Sequence, residues 1–187
     1  ENGDKFLAAD GDKIERFSDV LEKIILSKTI TVERNGVTTN IDMPIDVIDQ
    51  FLENENQLLF YPRIPTIISR LNENSNAEIA GLKKKDVLMA INGKDIKYHD
   101  ELKVELAKHK EKDVTLLINR NGVSLSLVAK VNTNGELGFV PASLSLEQLE
   151  GLGFYSLTSY HYGFFASFPA GYNKAIKKLG GYIDQFA

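Results

Sequence analysis

The chain has 187 residues, 22 basic and 26 acidic side chains, and a formal charge of −4. That length fits one ordinary domain or two small ones, and 43% hydrophobic residues suffice for a core and exclude wholesale disorder. The mild acidity argues against a nucleic-acid binder. Cysteine is absent, which excludes disulfides and thiolate metal sites. No run of about 18 apolar residues is present to cross a bilayer. The opening Glu1-Asn2-Gly3-Asp4 has no signal-peptide character and reads as part of a turn, as expected of a piece of a longer protein.

In chain order, the first pattern is an internal repeat. Residues 4–14, DKFLAADGDKI, match 86–96, DVLMAINGKDI, 82 residues later. Arg34-Asn35-Gly36-Val37 matches Arg120-Asn121-Gly122-Val123, 86 residues later. Each copy starts with a short apolar strand that ends in a tight turn, Asp10-Gly11 or Asn92-Gly93. An amphipathic helix follows, about Asp19–Leu26 with Ser18 as N-cap in the first copy. In the second it covers about Asp100–His109, with Leu102 and Leu106 on one face. Two strands then flank an Asn-Gly turn: Thr29–Glu33 with Val37–Met43, and Val114–Asn119 with Val123–Val131. Leu125 and Leu127 alternate with Ser124 and Ser126, the pattern of a half-buried strand.

Between the copies, Asp46–Leu59 is a linker. Ile45 just before it, with Val47, Ile48, Phe51 and Leu52, predicts a short amphipathic helix. The second copy has upstream elements that the first lacks. These are a strand at Ile64–Leu71, a polar loop at Asn72–Asn76, and one helical turn at Ala77–Leu82 ended by Gly81. The first copy therefore starts about twenty residues too late to be a complete unit of this kind.

The stretch Asn76-Ala77-Glu78-Ile79-Ala80-Gly81-Leu82, with Asp86-Val87-Leu88, Ile91-Asn92-Gly93 and Ile96, resembles a PDZ domain of the permuted kind found in bacterial envelope proteases. The likeness covers residues 62–132 fully and 2–43 in part. It departs at Lys85, where such domains often carry Gly before the Asp. The resemblance implies an α+β fold: tandem PDZ-like domains, each a small, partly open β-barrel or sandwich with two helices, the first copy incomplete. It also implies capture of an extended peptide at a strand edge beside a helix. On that reading the groove is formed by Arg63, Ile64, Thr66, Ile67, Ile68 and Val104. Pro62 and Pro65 remove amide donors from the loop before the strand, which predicts weak or unconventional capture of a peptide carboxylate. Solvated positions for Arg63 and Val104 are the plainer alternative.

After Val140-Pro141 the composition changes. No Lys, Arg, Asp or Glu lies between Glu150 and Lys174, and eight of the seventeen aromatic residues fall between Phe154 and Tyr172. Such a segment suits a membrane–water interface. Ser167 and Pro169 predict a helix start. Phe164, Phe165, Phe168, Tyr172, Ile176, Leu179, Ile183 and Phe186 form the membrane-interface candidates, most of them on one helical stripe. Ordinary packing of this amphipathic tail is the competing reading.

His161 to Gly171, with Gly180-Gly181-Tyr182 and Gln185-Phe186, resembles the segment that follows the PDZ pair in RseP-type site-2 proteases. These are zinc enzymes that cut inside membranes. The resemblance implies a division into 1–45 as a partial PDZ-like domain, 46–60 as linker, 61–140 as a PDZ-like domain and 141–187 as a juxtamembrane segment. It implies the periplasmic side of a bacterial inner membrane and a polypeptide partner, a membrane protein already trimmed, with membrane contact through flanking segments. The parent's zinc ligands, a His-Glu-x-x-His and a later Asp-Gly, are not in this sequence. His99, His109 and His161 are not followed by Glu, and no catalytic or metal-binding residue is expected in this chain. The alternative is a peptide-binding PDZ module of a soluble envelope serine protease or secretion scaffold.

Overall fold

The computed structural model describes residues 1–46 and 60–157, together with 163, 165, 168, 169, 171, 172, 175 and 176. The chain divides into two compact units, Glu1–Leu144 and Ser145–Ala187. The linker positions Val47, Ile48, Phe51 and Leu52 and the tail positions Phe164, Leu179, Ile183 and Phe186 lie outside the described residues.

The first unit contains two four-stranded sheets of the same design. In the first sheet the strands are β1 (Lys5–Ala9), β2 (Asp12–Lys13), β3 (Thr29–Arg34) and β4 (Val37–Asp42), in the order β2-β1-β3-β4. Helix α1 (Val20–Ile25) connects β2 to β3. After β5 (Ile68–Leu71) and α2 (Asn76–Ile79) comes the second sheet. It contains β6 (Val87–Ile91), β7 (Lys94–Asp95), β8 (Asp113–Arg120) and β9 (Val123–Lys130), in the order β7-β6-β8-β9. Helix α3 (His99–Ala107) occupies the place of α1. The sequence repeat is thus a repeat of strand order.

The match extends to single hydrogen bonds. Both first strands carry a register shift at the same point, between Phe6 and Ala8 and between Leu88 and Ala90. The skipped residues, Leu7 and Met89, accept from the amides of Ile14 and Ile96 at 2.8 and 2.7 Å. Asp10 and Asn92 hold the following turns with φ of 47° and 49°, and their side chains accept the amides of Thr29 and Thr115. Arg34 forms a two-pronged ion pair with Asp4 at 2.8 and 2.7 Å, and Arg120 does the same with Asp86 at 2.7 and 2.7 Å. Arg34 draws the Asp4 carboxyl well below the usual carboxylate range, chiefly through this hydrogen bonding.

The cores differ. The second sheet's core contains Ile68, Ala77, Leu82, Leu88, Ile91, Ile96, Leu102, Leu106, Leu116, Ile118 and Leu137, all buried. The first sheet's core is built on Val20, Ile24, Ile30 and Val32, with Phe6, Ile14, Ile41 and Met43 only half-buried. Phe60 packs edge-on against Phe6, with ring centroids 5.0 Å apart.

In the second unit, α4 (Leu146–Gly151) is closed by a capping box between Ser145 and Gln148. Phe165, Phe168, Tyr172 and Ile176 are helical and solvent-exposed.

Candidate functional site

The strand expected to line a groove is shorter than Ile64–Leu71 and lies inside the fold. Only Ile68–Leu71 forms a regular strand, and Ile67 makes a single bridge to Val87. The amide of Ile68 donates to Asp86, that of Lys85 to Ile68, and that of Leu88 to Thr66, at 2.8–2.9 Å. The other edge of β5 pairs with β10 (Phe139–Pro141). With both edges engaged over Thr66–Ile68, this stretch has no room for an added peptide. Ile68 belongs to the core and the preceding Thr66 is buried with it, at 1% exposure each.

The remaining groove candidates face elsewhere. Arg63 forms ion pairs with Asp100 and Glu101 at 2.8 and 2.7 Å and lies over the Tyr98 ring, 4.0 Å from its centroid. It thus ties the first turn of α3 to the preceding segment and is not a solvated side chain. Ile64 accepts the amide of His99 at 2.8 Å. Val104 is exposed on the wall of a polar cleft of about 530 Å³, shared with Gly3, Asp4, Arg34 and Arg63.

Among the described residues the outer edge of β10, which the sequence reading did not mark, is unpaired. β10 is the outer strand of a two-stranded sheet with β5. The register pairs Phe139 with Leu71 and Val140 with Arg70, and the amide of Asn72 donates to Gly138 at 3.0 Å. Hydrogen-bonded and non-hydrogen-bonded pairs alternate in an antiparallel ladder. Val140 therefore points its amide toward β5, and Phe139 points its N–H and C=O outward. A bulge follows Val140, and Pro141 takes the next outward position with no N–H to offer. The outer edge is one residue long in donors.

The loop before β10 supplies more. Asn132 holds it: its side chain accepts the amides of Asn134 and Glu136 at 2.9 and 2.8 Å. Gly135 and Gly138 adopt φ of 85° and 86°. A Cβ at Gly138 would lie 2.6 Å from the Ser75 Cβ, so glycine is required there by space as well as by conformation. The carbonyl of Leu137 accepts the amide of Ala77 at 2.7 Å, which fixes the loop on α2. The amides of Leu137 and Gly138 have no partner among the described residues. Together with the outward Phe139 amide, they form a run of backbone donors, the arrangement that cradles anions.

Helix α3 runs beside this edge. A Cβ on Gly135 would lie 3.1 Å from the Ala107 Cα at one end. His99 packs edge-on against Phe139 at 6.2 Å at the other. His99 Nδ1 lies 3.2 Å from the buried Thr66 hydroxyl. Burial, then the charge of Lys103, lowers the His99 pKa, with Asp100 acting in the opposite sense. The residues that meet at the edge are therefore Leu137, Gly138, Phe139 and His99.

The PDZ domain family matches residues 50–119. The chain contains a PDZ domain. Among solved structures, the chain is similar to the PDZ domain of an SdrC-like protein of Listeria monocytogenes. The identity is 13% and the TM-score 0.37, over 49% of this chain and 97% of that one. Lys85, the departure from the PDZ pattern, retains the turn geometry of a glycine with φ of 73°. Among the described residues no group of three His, Cys, Asp or Glu is placed to hold a metal ion, and no helix is long and apolar enough to cross a membrane.

Proposed function

We propose that the PDZ domain captures the C-terminal end of a polypeptide at the outer edge of β10. The observation that carries this reading is the run of donors at Leu137, Gly138 and Phe139 beside α3, on an edge unpaired among the described residues. A terminal carboxylate fits such donors, and the last residue of the peptide extends the sheet. Pro141 stops the ladder there, so recognition centres on the terminal carboxylate and the residue or two before it. The prolines that predicted a poor nest, Pro62 and Pro65, precede an interior strand. Capture is weak for a different reason, the shortness of the edge.

In the wider reading, the chain is the periplasmic part of an RseP-type intramembrane zinc protease in a bacterial inner membrane. The first sheet is then a partial PDZ-like domain, and the pair filters trimmed membrane proteins by size before cleavage. The sequence resemblance supports this, as do the exposed Phe165, Phe168, Tyr172 and Ile176, which suit a membrane interface. Zinc would supply the hydrolytic chemistry in the parent protein. The described residues do not fit it, and their part is confined to capture and exclusion of substrate.

Titration with paired peptides, one ending in a free carboxylate and one amidated, tests the capture. The free peptide is expected to shift the amide resonances of Leu137, Gly138 and Phe139, and the amidated one to leave them in place. Equal shifts from both would overturn the reading.

A further inference from the structure

Helix α3 turns different faces to different neighbours. Leu102 and Leu106 are buried in the core. Asp100, Glu101 and Val104 line the polar cleft with Arg63. His99, Lys103 and Ala107 recur every fourth position and so share another face. That face looks onto the loop and edge of β10. His99 packs on Phe139 at one end, and the Ala107 Cα lies 3.1 Å from a Cβ built on Gly135 at the other. Lys103 stands between them, exposed to solvent.

The charges of the helix are unevenly matched. Its carboxylates are all taken. Arg63 pairs with Asp100 and Glu101 at 2.8 and 2.7 Å, and Lys94 and Lys108 pair with Glu105 at 2.7 and 2.9 Å. Lys103 has no carboxylate partner among the described residues. Its charge is felt by His99, next on the same face. The helix wall beside the donor run is therefore cationic and lacks a counter-charge.

Distance sets the register, given the capture proposed above. The terminal carboxylate lies at Leu137–Phe139, near the Ala107 end of the helix. A peptide that pairs with Phe139 and continues toward Pro141 runs antiparallel to β10, and its upstream residues approach His99. Lys103 is four helical residues from Ala107, about 6 Å along the axis. Two residues of a strand span about 6.6 Å. Lys103 is thus level with the residue two before the C-terminus, which shares a face of the added strand with the last residue.

We infer that the groove selects polypeptides with Asp or Glu two residues before a free C-terminus, read by the Lys103 ammonium. The inference rests on capture at β10 and adds the class of partner.

The test is an affinity titration of the whole chain with peptides of one sequence, carrying Glu or Gln two residues before the end, each as free acid and as amide. The Glu free acid is expected to bind about 3–5-fold tighter than the Gln free acid, the range of a solvent-accessible ion pair. Raising the salt from about 0.05 to 0.5 M shrinks that ratio. Lys103→Arg keeps the preference and Lys103→Gln abolishes it. Lys103→Glu transfers it to a peptide with Lys at that position, a reversal that a damaged fold would not give. Carboxylate-dependent binding with equal affinity for Glu and Gln, or a preference that survives Lys103→Gln, would overturn the inference and leave the capture standing. Equal binding of free and amidated peptides, or no binding of either, would overturn both.

Discussion

The first and second sheets are built to the same plan but finished differently. Both have a bulged first strand, a helix on the core face, an Asn-Gly hairpin and an Arg–Asp pair holding the strand start. Only the second is covered by β5, α2 and the 132–138 loop among the described residues, and there Leu88, Ile96, Leu116 and Ile118 are buried. The comparison teaches that strand order comes from the repeat, whereas the depth of the core depends on the elements added around it.

The largest expected difference lies in the ion pairs. Asp86 is fully buried and accepts the amide of Lys83 as well as both prongs of Arg120. Arg120→Met leaves that carboxylate buried without its cation and is expected to cost about 3–5 kcal/mol. Arg34→Met, beside a sheet with a shallower core, is expected to cost about 1.5–3 kcal/mol, the value of a charged hydrogen bond. Urea unfolding of both variants measures the contrast, and equal losses would break it.

His99 gives a smaller, pH-dependent effect. Burial disfavours its charged form, so its folded pKa lies below its ordinary value of about 6.5. In the window between the two values the unfolded chain binds more protons, so stability rises with pH. This contribution is complete above about pH 6.5 and is lost as pH falls toward the folded value. His99→Asn is expected to flatten that slope in melting curves recorded from pH 5 to 8 (roughly the range in which histidine titrates). An unchanged slope would place the titration elsewhere.

The smallest expected effect concerns the matched turn. Lys85→Gly relieves a left-handed lysine and is expected to stabilise the chain by about 0.5–1 kcal/mol. The reverse change, Gly3→Lys, costs a similar amount and also meets Arg63, whose Nη1 lies 3.1 Å from a Cβ built there. Paired melting curves check both signs.

The repeat was legible in the sequence because turns and bulges leave fixed residues: Asp10 and Asn92, Asn35 and Asn121 all adopt positive φ. Helices and strands fell within a few residues of their expected ends, with α3 at His99–Ala107 instead of about Asp100–His109. Ile64–Leu71 read as a groove strand because an apolar run signals burial without saying how many neighbours a strand has. The outer strand, Phe139-Val140-Pro141, is too short to show alternation and ends in proline. Its signal was the pair Gly135 and Gly138, whose spacing marks the loop that holds the donors. Val104 was expected in the groove, but Lys103 is the helix neighbour whose charge reaches His99.

The most direct measurement is a single amide-resonance map of the chain with a peptide ending in a free carboxylate. The account predicts that Leu137, Gly138, Phe139 and His99 shift while Gly3 and Phe6 do not, because among the described residues only the second sheet carries the loop proposed to hold the carboxylate. Shifts confined to Ile64–Ile68, or no dependence on the carboxylate, would contradict it.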